Sequence, residues 1–120
     1  MTRALPLLLL SAGLLLAACG KPANIECPTV QLPADGVLAD TSADIKQFGQ
    51  MFEGGYSGNI LPEAIRLVRQ KYPQASNAEI RNFLSAAYCP VARASAVGKD
   101  DQKAKLQQFE SALETNLLAQ

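Results

Sequence analysis

Few side chains in this 120-residue chain could carry out chemistry. It contains three cysteines, Cys19, Cys27 and Cys89, and no histidine. Without histidine the chain lacks the commonest general base near neutral pH, and with it Ser-His-Asp and Cys-His catalysis. Two thiols alone also fall short of a four-ligand zinc site. We therefore predict a protein that is not an enzyme and that has no catalytic residue, no metal site and no cofactor.

The carboxylates are scattered along the chain, and their spacing does not indicate a catalytic pair. Asp100 and Asp101 are adjacent, but the surrounding sequence lacks the oxygen ligands of a calcium loop, so the start of a helix explains them better. The chain has eleven basic and eleven acidic residues with no block of one sign. This balance gives no reason to expect nucleic acid as a partner, since nucleic-acid binding needs a basic face.

A glycine-rich segment is the most distinctive stretch inside the chain. Its candidate binding-loop residues are Gly54, Gly55, Tyr56, Ser57 and Gly58. It has no phosphate-binding pattern, but a tyrosine on such a loop can anchor a partner, because tyrosine is enriched at interface hot spots. The alternative is a plain helix connector in which Tyr56 folds over the core.

Four helices are expected to position these residues, because apolar side chains recur every three or four positions and no segment alternates like a strand. The predicted helices cover about residues 42–53, 61–72, 77–89 and 100–118. Their predicted core faces consist of Ile45, Phe48 and Phe52; Leu61, Ile65, Val68 and Tyr72; Ile80, Phe83, Leu84, Ala87 and Tyr88; and Leu106, Phe109, Leu113 and Leu117. The fold class is therefore all-α, a four-helix domain over residues 41–120.

The third helix has the clearest boundary signals. Ser76 and Glu79 have the spacing of a capping box, in which each side chain accepts a hydrogen bond from the other residue's backbone. Pro90 is expected to end or kink the helix, because proline disfavours helical backbone at the residue before it. Residues 91–98 are then predicted to be a connector of small residues.

The beginning of the chain has the features of an export signal. The apolar run over residues 4–18 is shorter than the about twenty residues that span a membrane. It ends in Leu16-Ala17-Ala18-Cys19, which resembles the lipobox of bacterial lipoprotein precursors. The resemblance implies that residues 1–18 are a cleaved signal peptide and that Cys19 carries a diacylglycerol group. No motif after Cys19 identifies a family.

A disulfide follows from the same resemblance. Once Cys19 carries lipid, Cys27 and Cys89 are the two cysteines left in an exported chain, and an even count in an oxidising compartment favours a bridge. A loop of this length would stabilise the fold by roughly 4 kcal/mol.

Residues 19–40 are predicted to be a lipidated tether that becomes an extended arm, because Pro22, Pro28 and Pro33 forbid a continuous helix. With the disulfide formed, the eight residues between Cys19 and Cys27 would span at most about 26 Å. The domain is therefore expected to stay close to the membrane.

The resemblance also implies a location and a role. Gly20 departs from the aspartate that favours inner-membrane retention in the best-known Gram-negative sorting pattern, so we expect the periplasmic face of the outer membrane. The leading hypothesis is a non-enzymatic interaction or assembly module with an envelope protein as partner, comparable in size, anchor and helical content with pilot lipoproteins of secretion systems. The alternative is a small-ligand-binding or hydrolase-inhibitor lipoprotein, which would need a concave apolar site.

Overall fold

The computed structural model describes residues 24–30 and 41–120. Within these ranges the chain forms four helices and no strand, which confirms the all-α prediction. The helices are α1 (Thr41–Phe52), α2 (Ile60–Lys71), α3 (Asn77–Ser95) and α4 (Lys99–Leu118). The signal peptide, Cys19 and most of the tether and arm over residues 19–40 lie outside the described residues.

Helix α3 is the centre of the domain. It packs most extensively against α4 and α1, whereas α2 makes smaller contacts with all three other helices. The predicted core positions are buried, except that Ile45 and Leu106 are half-buried. Aromatic rings join the helices edge to face, with Phe48 on Phe83 and Phe52 on Phe109. The apolar periodicity of the sequence thus produces one continuous core.

The start of α3 is the predicted capping box. Glu79 N–H donates to Ser76 Oγ at 3.2 Å, and Ser76 N–H donates to Glu79 Oε1 at 3.0 Å. Two backbone donors that the first turn would leave unsatisfied are therefore paired.

The prediction that α3 ends at Pro90 and is followed by a connector was wrong, whereas the alternative of a kink at Pro90 stays a prediction. Pro90 lies inside the helix, which continues to Ser95, so the first five of the eight residues in the predicted connector over 91–98 are helical. A proline inside a helix removes one backbone hydrogen bond and crowds the preceding turn. Here the continued helix buries Ala92 completely and lets the Arg93 guanidinium hydrogen-bond to Ile25 O. These tertiary contacts form only if the helix continues, and they outweigh the local cost.

Candidate functional site

A disulfide joins the described stretch of the arm, residues 24–30, to the middle of α3. Cys27 and Cys89 are bonded, with an S–S distance of 2.09 Å and a Cα–Cα distance of 5.6 Å. Cys89 is fully buried in the core. The predicted pairing is confirmed, and α1, α2 and the first half of α3 lie within the loop that it closes.

A buried glutamine holds the arm beside the disulfide. Gln102 is only 1% exposed although it is polar. Its Oε1 accepts a hydrogen bond from Ile25 N–H at 3.0 Å. Its Nε2 donates to Asn24 Oδ1 at 2.8 Å, to Ala96 O at 3.0 Å and to Arg93 O at 3.4 Å. Each polar atom of this side chain is therefore paired, as a buried amide requires.

Whereas Gln102 belongs to α4, two side chains of α3 also bind the backbone of the arm. The Arg93 guanidinium donates to Ile25 O through Nε, at 2.7 Å, and also through Nη2. Asn82 Nδ2 donates to Thr29 O at 2.9 Å. Ile25 itself is 5% exposed, so its backbone is satisfied by side chains while its own side chain packs inward. The arm clamp is our name for Gln102, Arg93, Asn82 and the disulfide together.

The glycine-rich loop lies against the core. The Tyr56 ring is half-buried and meets Tyr88 and Phe109 edge to face, at centroid distances of 5.6 and 5.2 Å. Tyr88 and Phe109 in turn stack with an interplanar angle of 7°. Burial, and then Tyr56, raise the pKa of the Tyr88 phenol. Tyr56 therefore packs as the connector interpretation expects, and the role of residues 54–58 as a binding loop stays a prediction.

An open groove runs between α1 and the second half of α3. Its volume is about 560 Å³. It is lined mainly by apolar or small residues, which are Ile45, Gly49, Ala87, Pro90, Val91 and Ala94. The groove exists because α3 continues past Pro90, since the last turns of that helix form one wall.

Gly49 sets the depth of this groove. A Cβ atom placed on Gly49 would lie 2.9 Å from the backbone oxygen of Ala87, closer than real Cβ contacts come. The two helices can therefore approach to this distance only with glycine at position 49. The absence of a side chain there leaves an apolar floor with helical walls on both sides.

Two charged residues lie at the edge of the groove, one on α1 and one directly after it. Lys46 and Glu53 both line it and are both exposed. Lys46 lies on α1 and Glu53 directly follows its last residue, Phe52, so the two are separated by about 10 Å along the helix axis. Neither is joined by an ion pair to another described side chain. The groove thus offers one positive and one negative end around an apolar centre.

A second polar cluster joins α1 to α2. Asp44 accepts hydrogen bonds from the Lys71 ammonium and from Tyr72 Oη, the latter at 2.6 Å. Burial alone would raise the pKa of Asp44, but these two hydrogen bonds and the Lys71 charge outweigh it and hold the pKa below its usual value. Burial and Asp44 together raise the pKa of Tyr72 to about 12. This arrangement fits a structural tie between two helices, because every group in it is paired.

The described residues contain no cluster of three or more histidine, cysteine, aspartate or glutamate side chains that could hold a metal ion. Asp100 and Asp101 lie in the first turn of α4, as predicted for a helix start. None of the described helices is both long enough and apolar enough to cross a membrane.

Sequence reasoning missed Gln102, Gly49 and the groove. Gln102 precedes Leu106 by four residues and Phe109 by seven, so it continues the buried stripe of α4. That register was the signal that could have indicated its burial. Nothing in the sequence around Gly49 indicates a close approach of two helices.

Comparison with known proteins adds no relative to this picture. The chain matches no protein-family model, and no curated protein or solved structure matches it significantly.

Proposed function

We propose that this chain is a bacterial envelope lipoprotein, anchored through acylated Cys19 at the periplasmic face of the outer membrane, and that it acts as a non-enzymatic interaction module. The lipobox-like Leu16-Ala17-Ala18-Cys19 supports the anchor, and Gly20 supports the choice of membrane. The confirmed disulfide is consistent with an exported chain, because such bridges persist in oxidising compartments.

The groove between α1 and α3 is the observation that carries the interaction role. Its apolar floor stays uncovered by any described part of the chain, although a domain of this size has few apolar side chains to spare for its surface. Uncovered apolar grooves with polar edges are typical of sites where another protein binds.

The occupant that fits this groove best is an amphipathic helix of an envelope protein. On the α1 side the lining residues extend from Ile45 to Glu53, the residue directly after the helix, which is about 12 Å or two helical turns. A helix of that length would place its apolar face on Gly49 and Ala87, in the helix-in-groove mode of recognition. A basic side chain near Glu53 and an acidic one near Lys46 would complement the edge and set the direction of the helix.

Site-specific photocrosslinking in intact cells tests this proposal. A photoreactive amino acid replaces Gln50, an exposed residue of the groove, or Gln107, an exposed residue of α4 outside it. We expect position 50 to yield one stoichiometric adduct with an envelope protein and position 107 to yield none. Mass spectrometry of the adduct then identifies the partner segment, whose sequence must contain an amphipathic helix.

Charge variants supply the matched control. Ala94→Lys places a charge in the groove, whereas Ala104→Lys places the same charge on an exposed part of α4. We expect the first to abolish the adduct and the second to preserve it. Glu53→Lys should weaken binding at least tenfold, and reversal of the facing basic residue in the partner should restore it. Equal adducts from both photoreactive positions, or no effect of Ala94→Lys, would contradict the proposal.

The alternative is a small-ligand-binding or hydrolase-inhibitor lipoprotein, which the volume of the groove favours. About 560 Å³ lies within the usual range of ligand pockets. The glycine-rich loop does not line this groove, so a ligand here would contact α1 and α3 instead. A thermal-shift screen of envelope lipids and glycan fragments distinguishes the two, since a ligand stabilising the parent domain but not Ala94→Lys would favour the alternative.

A further inference from the structure

The corner between α3 and α4, formed by residues 96–98, adjoins the point where the arm enters the domain. Gln102 Nε2 donates both to Ala96 O of the corner and to Asn24 Oδ1 of the arm, at 3.0 and 2.8 Å. One side chain thus spans the distance between them. The N-terminal end of the described arm therefore leaves the domain beside this corner.

The length of chain before Asn24 limits how far the corner can stand from Cys19. Asn24 lies five positions after Cys19, and at about 3.3 Å per position the extended chain between them spans at most about 17 Å. This is shorter than the 26 Å implied by the disulfide alone, because Asn24 and Ile25 are already held by Gln102.

The corner also exposes a large apolar side chain. Val97 is 81% exposed, and Leu118 at the end of α4 is 75% exposed; these are the exposed large apolar residues among those described. Gly98 has a φ of 95°, which lets the chain turn between the helices, and a Cβ placed on it would meet nothing within 4 Å. The corner thus faces open space, and no described residue covers Val97.

We propose that this corner is the surface of the domain that contacts the lipid bilayer, with Val97 at the boundary of headgroups and acyl chains and α4 directed away from it. The inference rests on the proposed lipid anchor at Cys19. Residues 96–105 contain three lysines and two aspartates, so lipid phosphates would not repel this surface. The short tether holds the corner at the membrane, and Val97 offers a side chain that the interface accepts.

The two exposed apolar residues provide a matched pair of probes. The sequence contains no tryptophan, so Val97→Trp and Leu118→Trp each introduce a single fluorophore at an already exposed position. Because α4 has 20 residues, the two positions are separated by about 30 Å. Each lipidated full-length variant is reconstituted into phosphatidylethanolamine–phosphatidylglycerol vesicles, with or without brominated acyl chains. Flotation and intact mass confirm that each variant is acylated and membrane-bound.

We expect brominated lipids to quench V97W at least threefold more strongly than L118W, with a blue-shifted emission maximum for V97W alone. Weak quenching of both variants in protein that floats with the vesicles would overturn the corner contact while leaving the lipid anchor standing. Equal strong quenching would also overturn it, because α4 would then lie flat on the membrane. Protein that carries no acyl group and does not float would overturn the anchor itself.

Discussion

The arm clamp and the groove use two different faces of α3. On one side, the arm clamp fixes residues 24–30 with a disulfide and with hydrogen bonds that satisfy each polar atom of Gln102. On the other side, the groove presents small apolar residues and two charges, Lys46 and Glu53, that form no ion pair with a described side chain. The difference indicates that the disulfide and the hydrogen bonds of the domain serve mainly to fix the arm where it enters. No described residue covers the groove on the other face.

The largest effect should come from breaking the covalent part of the arm clamp. Cys27→Ser opens a loop with a sequence separation of 62 and should lower the free energy of unfolding by about 4 kcal/mol, because the unfolded chain regains entropy. Urea denaturation of the parent and the variant, each with and without a reductant, measures this loss. The reductant should destabilise the parent to the level of the variant and leave the variant unchanged; a stable reduced parent would contradict the prediction.

The second-largest loss of stability should come from removing the hydrogen bonds of Gln102 in the arm clamp. Gln102→Ala leaves the buried Ile25 N–H without an acceptor, so we expect a loss of about 2–3 kcal/mol. Gln107→Ala, an exposed glutamine on the same helix, should cost less than 0.5 kcal/mol, about the usual limit for surface changes. Hydrogen exchange should also speed up at Ile25 in the first variant. Unchanged protection at Ile25 would show that the arm does not depend on the glutamine.

On the groove side, Gly49→Ala should force α1 and α3 apart. The added methyl would lie 2.9 Å from the Ala87 carbonyl oxygen, so we expect about 1–2 kcal/mol of destabilisation. Gly54→Ala is the matched control, because a Cβ there meets nothing within 4 Å. Thermal unfolding of both variants measures the difference. Equal midpoints would mean that the two helices do not need the glycine.

The smallest effect should come from the Asp44 cluster, which lies on the α2 side of α1. The folded-state pKa of Asp44 is lowered, so its contribution is present above the unfolded-state value of about 3.8 and is lost as the pH falls through the folded value. Asp44→Asn should lower the free energy of unfolding by about 1 kcal/mol at neutral pH. The free energy of unfolding of the variant should also fall less steeply than that of the parent as the pH is lowered.

The same cluster also predicts that stability falls at alkaline pH, and here the cause is a raised pKa instead of a lowered one. The pKa of Tyr72 is raised to about 12, so its contribution is complete below the unfolded value of 10 and is lost as the pH rises towards 12. Denaturation of the parent and Tyr72→Phe between pH 9 and 12 isolates this contribution. If both proteins lose stability in parallel, the Tyr72 hydrogen bond is not the cause.

The helices and most of the core could be predicted from the sequence, because local rules determine them. The capping box at Ser76 and the apolar stripes of α2 and α4 needed only neighbouring residues. The same local rules wrongly ended α3 at Pro90. The contacts that stabilise the helix beyond Pro90 involve Ile25, which lies 65 residues earlier in the sequence.

The candidate site was only partly predictable, for a related physical reason. The disulfide followed from the number of cysteines in an exported chain. The groove depends on the absence of a Cβ at Gly49 opposite one carbonyl oxygen of another helix, and no local pattern encodes that juxtaposition.

The disulfide also determines how the domain would carry a mechanical load. Tension applied between the N-terminal side of the arm and the end of α4 passes from Cys27 directly to Cys89. It then follows the second half of α3 into α4, so the disulfide bypasses α1 and α2, which lie outside the covalent path of the force. The α1 wall of the groove would therefore keep its fold while a partner pulled on the C-terminal half of the molecule.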